Sequence, residues 1–466
     1  MTTNVAAVRP ARGRQSCAAP WWRDLVTATC WTRATVVAGL WLSGGGLRQL
    51  NGAAGDQLTS LGRLTGLVAA DLLLMQVVLM ARVPAIERSY GQDELARRHR
   101  LVGFTSFNLM MAHVVLIVFG YALTAHRRVL PETWALVRTY PGMLLATAGT
   151  ALLVLVTVTS IRMARRKLRY ESWHLLHLYA YLGVGFSVPH EIWTGADFAS
   201  SRPARLYWWA SYLLAAAAVI GYRVALPAYR TLLHRLVVTE VVRESADVVS
   251  VRMTGRHLHR LPVAAGQFFV FRFLDGSGWT RGNPYSLSAL PDGRELRITV
   301  KDLGGESARL AQVRPGTRVL IEGPYGRLTA DRRRARRLVF IANGIGITPI
   351  RALLEALDYA PGEATLIYRA RTPEDFVLWT EVDAIARDRG VTVHYLAGPR
   401  VADRTSWLPE SAAQWPDPHA LLHLAPDLLQ ADVYVCGPPP WMDAVQAAAV
   451  RAGLPLDQFH AERFSW

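Results

Sequence analysis

Apolar residues run in long blocks through the first half of the chain and in short alternating strips through the second. Six blocks stand out, near 33–50, 58–81, 101–125, 142–163, 173–193 and 205–226. A bilayer-spanning helix needs about 20 mostly apolar residues, so the pattern predicts six spans. The first block is the shortest and is broken by glycines ("LWLSGGG"). From about 236 the period shortens. "LVVTEVVRESADVVSVRM", "GQFFVFRFL", "ELRITVKDL" and "RVLIEGPYG" alternate between turn residues, which predicts a small antiparallel β-barrel. From 337, "RLVFIANGIGITPIRALLEAL" gives strand, glycine turn and helix, and "ATLIYRA", "VTVHYLAG" and "ADVYVCGPP" add strands between helical stretches. That alternation predicts a doubly wound parallel sheet. The expected fold class is a multidomain membrane protein: a six-helix all-α transmembrane bundle, then an antiparallel β-barrel, then an α/β doubly wound domain. The expected bounds are 1–32 for an N-terminal segment, 33–230 for the bundle, 231–331 for the barrel and 332–466 for the α/β domain.

Charge adds orientation. Of 466 residues, 51% are hydrophobic and the formal net charge is +16. Lysine occurs only at Lys167 and Lys301, so the basicity is nearly all arginine. A compositional bias towards arginine explains the total, but not its placement. Clusters at Arg9 to Arg23, Arg82 to Arg100 and Arg162 to Arg169 alternate with the apolar blocks. Basic connections stay on the cytoplasmic side of a membrane, which puts both termini and the second half of the chain in the cytoplasm. The same scatter excludes a nucleic-acid face, where basic residues gather on one soluble surface. The cysteines Cys17, Cys30 and Cys436 form no CxxC pair, so neither an iron–sulfur cluster nor a disulfide framework is expected. No cleavable signal peptide is expected either.

Ionisable residues inside a span are rare and usually functional. His99 and His113 fall in the third block, and His177 and His190 in the fifth. Fourteen residues turn an ideal helix through about 1400°, within about 40° of whole turns, and rise about 21 Å. His99 and His113 therefore share a face, one near each membrane edge. The thirteen residues between His177 and His190 fall about 140° short of whole turns, and Pro189 must tighten the helix for them to align. His99 then faces His177 on the inner side and His113 faces His190 on the outer side. Facing imidazoles are axial ligands for haem iron, so two stacked haems are expected; helix–helix hydrogen bonding is the plainer alternative. His174 competes with His177. Arg63 either meets a haem propionate or snorkels to the headgroups.

The second half carries cofactor signatures. In "NPYSLS", Tyr285 can lie against a flat ring, while the Ser286 hydroxyl and nearby backbone N–H groups can bond a flavin or its phosphates; an ordinary hairpin turn is the plainer alternative. "KDLGGES" offers Lys301, close approach at Gly304 and a hydroxyl at Ser307, suited to pyrophosphate. "NGIGITP" lies between a strand and a helix. There Gly344 and Gly346 permit close approach to a dinucleotide, and Thr348 and Pro349 open the helix that favours phosphate. Arg369 and Arg371 follow the next strand, where a 2′-phosphate is read, so NADPH is favoured over NADH; plain surface charge is the alternative. Cys436 and Gly437 end the last strand and either border a nicotinamide or close a buried strand. Trp466 either covers the flavin or is a packed or frayed tail.

Taken in one order, the paired histidines, "NPYSLS", "GIGITP", "CGPP" and "ERFSW" resemble the ferric reductase / NADPH oxidase superfamily over roughly 58–466, as in a bacterial member. The resemblance implies two b-type haems between the third and fifth spans, with His99 and His177 as inner ligands and His113 and His190 as outer ones. "YESWHLLH" matches the family pattern ending on the ligand, which selects His177 over His174. Arg63 matches a family arginine near the outer haem. The second half resembles ferredoxin–NADP reductase, with FAD on the barrel and NAD(P)H on the α/β domain. Asn283 stands where the family often has His or Arg, and Asn343 replaces a common glycine; Arg281 can supply the missing charge. The implied activity is electron transfer from cytoplasmic NADPH through FAD and two haem b groups to an acceptor outside the plasma membrane, either a ferric chelate or oxygen. The alternatives are a haem-binding sensor or anchor module, and a membrane-tethered flavin reductase.

Overall fold

A computed structural model describes residues 21–161, 170–199, 201–276 and 281–463. The chain forms two compact units: one within Pro20–Tyr90 and Glu94–Val224, the other from Gly91–Asp93 with Ala225 onwards.

The first unit is helical. Its long helices are α1 (Trp21–Ser43), α2 (Ala54–Leu79), α3 (Gln92–Thr124), α4 (Met143–Ser160), α5 (Tyr170–Thr194) and α6 (Arg202–Val219). A π-helical turn, Ile220–Ala225, leads from α6 into α7 (Leu226–His234). Five helical stretches are long and apolar enough to cross a membrane: α1, α2, α3, α4 and the run Arg202–His234. Exposed leucines and aromatics such as Leu101, Phe104, Leu144 and Leu213 lie on their outer faces, as lipid contact requires.

Two expectations change here. The first span begins at Trp21 rather than near 33 and stops at Gly44–Gly45, where Gly45 has φ 79°. Arg33 argues against a span there, but it lies 2.5 Å from Asp71 on α2. Tyr207 on α6 donates to the same carboxylate at 2.9 Å, so the charge is compensated inside the bundle. The fifth block does form a helix, α5, 25 residues long with Pro189 inside. It is not among the five, because three histidines and Glu191 dilute its apolar run. Helices α4 and α5 pack closely at small residues: a Cβ on Gly149 would meet the Gly183 carbonyl at 2.7 Å, and one on Gly183 the Gly149 carbonyl at 3.2 Å.

The second unit begins with two three-stranded antiparallel sheets, ordered β1-β2-β5 and β4-β3-β6. Their strands are β1 (Val237–Arg243), β2 (Val248–Thr254), β3 (Phe268–Phe273), β4 (Asn283–Ser286), β5 (Glu295–Lys301) and β6 (Val319–Tyr325). Where the alternation predicts one barrel, the structure has two sheets, joined at the isolated pairs Val237–Arg318 and Leu287–Ile298. Alternating strand residues such as Val249, Val251, Phe269, Phe271 and Ile298 fill one core between them. Thr231 of α7 accepts from the Ile321 amide at 3.2 Å, which seats that helix on β6.

The remainder is a five-stranded parallel sheet ordered β11-β10-β7-β8-β9. Its strands are β7 (Arg337–Asn343), β8 (Ala364–Ala370), β9 (Thr392–Ala397), β10 (Ala431–Cys436) and β11 (Phe459–Ala461). Strand alternation divides the core. Leu338, Phe340 and Tyr368 pack on one face with α8 (Ile347–Ala356) and α9 (Trp379–Arg389). Val339, Ile341 and Val433 pack on the other with α10 (Asp417–Leu424) and α11 (Pro439–Arg451). Strand order reverses between β7 and β10, and ligands of such sheets bind at the carboxyl ends of the strands on either side of that point.

Candidate functional site

In the helical unit, the α3 and α5 histidines meet at one level. The His99 and His177 rings lie 6.0 Å apart, centroid to centroid, at 64°. A metal–imidazole bond is about 2 Å, so two rings sharing one metal in line sit roughly 6 Å apart. His177 is half-buried, whereas His174 is exposed. No ring contact joins His113 to His190 among the described residues. The thirteen-residue phase and a helix that continues through Pro189 account for that difference.

Hydrogen bonds orient all four rings. Nδ1 of His99 lies 3.3 Å from the Gln76 carbonyl, that of His113 2.8 Å from the Gly62 carbonyl, and that of His190 2.7 Å from the Ser187 carbonyl. A carbonyl only accepts, so these three Nδ1 atoms donate, and the Nε2 lone pair is the one a metal would take. His177 Nδ1 pairs with the Ser160 hydroxyl at 3.3 Å, and Trp173 donates to the same hydroxyl at 3.4 Å. Among the described residues no three His, Cys, Asp or Glu side chains cluster to hold a bare ion. Two facing imidazoles instead suit an iron whose other positions come from a macrocycle.

Arg63 is held by protein partners. Its guanidinium is paired with Asp197, donates to Gln49 Oε1 at 2.8 Å and donates to the Gly44 carbonyl. The carboxylate it holds belongs to the protein, because Asp197 arrives from the segment after α5, a partnership with no local signature. Trp466 lies outside the described residues.

In the second unit, the β7–α8 turn carries Gly344 and Gly346. A Cβ on Gly346 would collide with the Cys436 carbonyl and meet the Gly437 nitrogen at 2.9 Å. One on Gly437 would meet the Asn343 Cβ at 2.9 Å. The "NGIG" and "CGPP" turns therefore touch backbone to backbone at the point where strand order reverses. Thr348 caps its own turn by donating to the Ile345 carbonyl at 3.0 Å, and Pro349 is buried beside it. Sequence reasoning missed Tyr368, a fully buried residue of β8. Its hydroxyl lies 3.2 Å from both the Gly344 and Val377 carbonyls and accepts from the Val377 amide at 3.0 Å. It pins the glycine turn from beneath, and a tyrosine at the end of a strand was the one available signal.

The two arginines after β8 part company. Arg369 is buried and donates to the Leu396 and Pro399 carbonyls at 3.5 and 3.0 Å, which fastens β9. Arg371 is exposed. Cys436 is buried, and burial, with the Glu462 carboxylate second, pushes its thiol up to about 12. Glu462, also missed, approaches Gly326, where a Cβ would meet its Oε2 at 2.6 Å.

On the flavin side, Arg281, Asn283 and Tyr285 line one shallow cleft with Phe273, Asp275, Arg309, Leu310 and Val313. The Tyr285 ring stacks near Phe271 at 6.5 Å, and Ser286 is buried opposite Phe268. The loop after β5 is exposed, with Gly304 at φ 87°. Ser307 accepts from the Leu303 amide at 2.9 Å and donates to the Gly304 carbonyl at 2.8 Å, so it holds the loop's shape. Lys301 is ion-paired with Asp247 at 3.1 Å and Asp375 at 3.4 Å. It bridges barrel and α/β domain.

Residues 65–188 match the family described as "Ferric reductase like transmembrane component", and residues 340–447 match "Oxidoreductase NAD-binding domain". The ferredoxin–NAD(+) reductase component of the alkene monooxygenase system of Xanthobacter autotrophicus is 34% identical over 218 residues, 45% of this chain and 63% of that protein. The flavohemoprotein of Bacillus subtilis is 29% identical over 234 residues, 49% of this chain and 58% of that one. The matched stretch thus spans about three-fifths of these relatives' own length. Among solved structures, a flavohemoglobin from Malassezia yamatoensis aligns with TM-score 0.43 and 17% identity, covering 88% of this chain and 98% of that one.

Proposed function

From the ferric reductase/NADPH oxidase-type architecture of this chain, a ferric reductase-like membrane component fused to a ferredoxin reductase-type nucleotide module, we propose that it carries electrons from cytoplasmic NADPH through FAD and two b-type haems to an acceptor outside the plasma membrane. The observation that carries this reading is the His99–His177 pair, 6.0 Å apart with each Nδ1 on a protein oxygen, in one chain with a nucleotide turn. The reading includes six spans, α5 being the sixth, with both termini cytoplasmic.

When bound, FAD takes the nicotinamide hydride as an electron pair and hands electrons on singly to haem iron. The residues bind and orient. His99 and His177 would hold the inner haem, and His113 and His190 the outer one. The Gly62, Gln76 and Ser187 carbonyls keep three of the imidazoles in the tautomer and orientation a metal needs, and the Ser160 hydroxyl orients His177. Arg281, Asn283 and Tyr285 would hold the flavin in the cleft they share, with the Gly304 loop beside its phosphates. The amides that open α8 favour the nucleotide diphosphate, and Tyr368 fixes the turn that presents them. Arg371 is the arginine placed to select a 2′-phosphate. The Cys436 thiol remains neutral, so it adds no charge beside the nicotinamide.

The test is made with purified chain in lipid vesicles. Anaerobic NADPH should bleach the flavin and then bring up the reduced b-type haem bands. Oxygen or a ferric chelate, each added alone outside, should reoxidise the haem and so identify the acceptor. A preparation with flavin but no haem Soret band would overturn the electron path. Haem that NADPH fails to reduce would favour a sensor or anchor.

A further inference from the structure

The barrel and the α/β domain share a half-buried polar junction that the cofactor motifs do not account for. Ser288 is the last residue of "NPYSLS". Its hydroxyl accepts from Arg297 Nε at 3.1 Å and from the Thr299 hydroxyl at 2.8 Å, and its carbonyl accepts from Arg297 Nη2 at 2.8 Å. Arg297, on β5, is buried. The rest of its guanidinium grips Glu381 with two bonds, Nη1 to Oε1 at 2.8 Å and Nη2 to Oε2 at 2.9 Å. A planar guanidinium on a carboxylate in this bidentate form fixes direction as well as distance.

Glu381 belongs to the α/β domain, in the first turn of α9. Its Oε2 also lies 2.9 Å from Arg351 Nε. Arg351 stands on α8, two residues beyond the Thr348–Pro349 start of the helix that the glycine turn opens. A second string runs alongside: Arg351 Nη1 donates to Glu355 Oε2 at 2.6 Å, which accepts from the Leu290 amide of the barrel at 3.1 Å. One carboxylate therefore lies between the end of the flavin motif and the helix of the nucleotide motif. Two cations on one carboxylate form a junction that keeps its register only while that carboxylate is charged and bidentate.

We propose that Glu381 is a positioning residue that sets the distance and angle between the nicotinamide and the flavin by tying Ser288 through Arg297 to Arg351. This rests on the proposed NADPH-to-flavin transfer. In that step the C4–H bond of the nicotinamide breaks, its electron pair and hydrogen form the N5–H bond of the flavin, and NADPH is oxidised as FAD is reduced.

The full-length chain is mixed rapidly with NADPH without oxygen, as wild type, Glu381→Gln and Glu381→Asp. Three quantities are read: the limiting rate of flavin bleaching, the NADPH dissociation constant, and the isotope effect with NADPH deuterated at the transferred position. A displacement of about 1 Å costs roughly 100-fold in a reaction that depends on alignment. Glu381→Gln should therefore slow the limiting step at least about tenfold, enlarge the isotope effect and leave NADPH affinity and flavin content within about threefold. Glu381→Asp, which keeps the charge, should recover part of the rate. Arg351→Gln, cutting the same tie from the other side, should reproduce the slow step.

A wild-type rate in Glu381→Gln overturns the inference while leaving the transfer itself standing. So does a loss in which flavin content, affinity and rate fall together and the aspartate is no better, since that marks a purely structural ion pair. A wild-type chain that takes no hydride overturns the functional reading and this inference with it.

Discussion

The two candidate sites are built on opposite principles. In the α/β domain, the "NGIG" and "CGPP" turns meet backbone against backbone, with no room for a Cβ at Gly346 or Gly437. Their geometry follows from the sheet beneath them. In the helical unit, the site is made of side chains projected from separate rods, and everything depends on helical phase. His99 and His177 come into phase, at 6.0 Å; His113 and His190 make no ring contact among the described residues. A site made of backbone is as well determined as the fold, whereas a site made of side chains on helices is only as good as the rotation and spacing of each helix.

The largest effect expected from that contrast is in the membrane. Disturbing even an outer partner of a ligating histidine typically costs about 10–100-fold in metal affinity. His99→Ala or His177→Ala should therefore remove the inner haem altogether and end haem reduction by NADPH. Flavin bleaching should continue at its normal rate. Haem counted per chain by its pyridine complex gives the answer, and two haems retained in both variants would break the pairing.

The soluble site should fail differently. In Gly346→Val the new side chain strikes the Cys436 carbonyl, and overpacking of this kind costs about 1–3 kcal/mol. The turn must move away from Gly437, so kcat/KM for NADPH should fall about 100-fold, with haem content unaltered. Tyr368→Phe should act through the same turn but more mildly, because it removes one hydroxyl from beneath Gly344. Each lost hydrogen bond of this type contributes about 1 kcal/mol, a several-fold rise in KM for NADPH. Steady-state rates at saturating and limiting NADPH separate the two.

What could be read from sequence divides along the same line. The strands of the second half announce themselves by alternation, and the glycine turns by their place between strand and helix, because both are local. Helix α1 starts earlier than its apolar block suggests because Arg33 reads as a charge at a membrane edge, and its compensating Asp71 lies on another helix. Arg63 reads as facing a cofactor because Asp197, which neutralises it, is distant in sequence. Arg369 and Arg371 look equivalent in "YRARTPED", yet Arg369 lies within β8 and is buried, whereas Arg371 stands past the strand's end at Ala370 and is exposed. In each case the residue type was legible and its partner was not.

That last pair gives a smaller and sharper test. Arg371→Ala should weaken NADPH by about tenfold, about 1.4 kcal/mol, and leave NADH almost unchanged. Arg369→Ala should instead lower the melting temperature through the lost ties to Leu396 and Pro399, with no change in the NADPH to NADH ratio. Equal losses for both nucleotides in Arg371→Ala would return that arginine to plain surface charge.

The smallest effect concerns acid, and it belongs to the soluble unit. Asp432 is fully buried, which works to raise its pKa. Hydrogen bonds from His460 at 2.7 Å and from the Ala335 and Arg334 amides at 2.5 and 2.6 Å outweigh burial and hold it below the usual carboxylate range. Burial likewise acts to raise Glu381, and Arg297 and Arg351 bring it below that range. Unfolded, both groups take up protons near pH 4. The folded state holds protons less readily, so the stabilisation is complete above that range and is lost as pH falls through the lower folded values. Thermal stability of the flavin module, followed by flavin fluorescence, should be level with respect to these two groups from about pH 5 to 8 and decline below about pH 4. Asp432→Asn should lower the plateau and flatten the acid limb. An acid limb as steep in Asp432→Asn as in the wild type would mean that the decline belongs to other carboxylates, and that the β10 junction, unlike the glycine turns it supports, does not depend on charge.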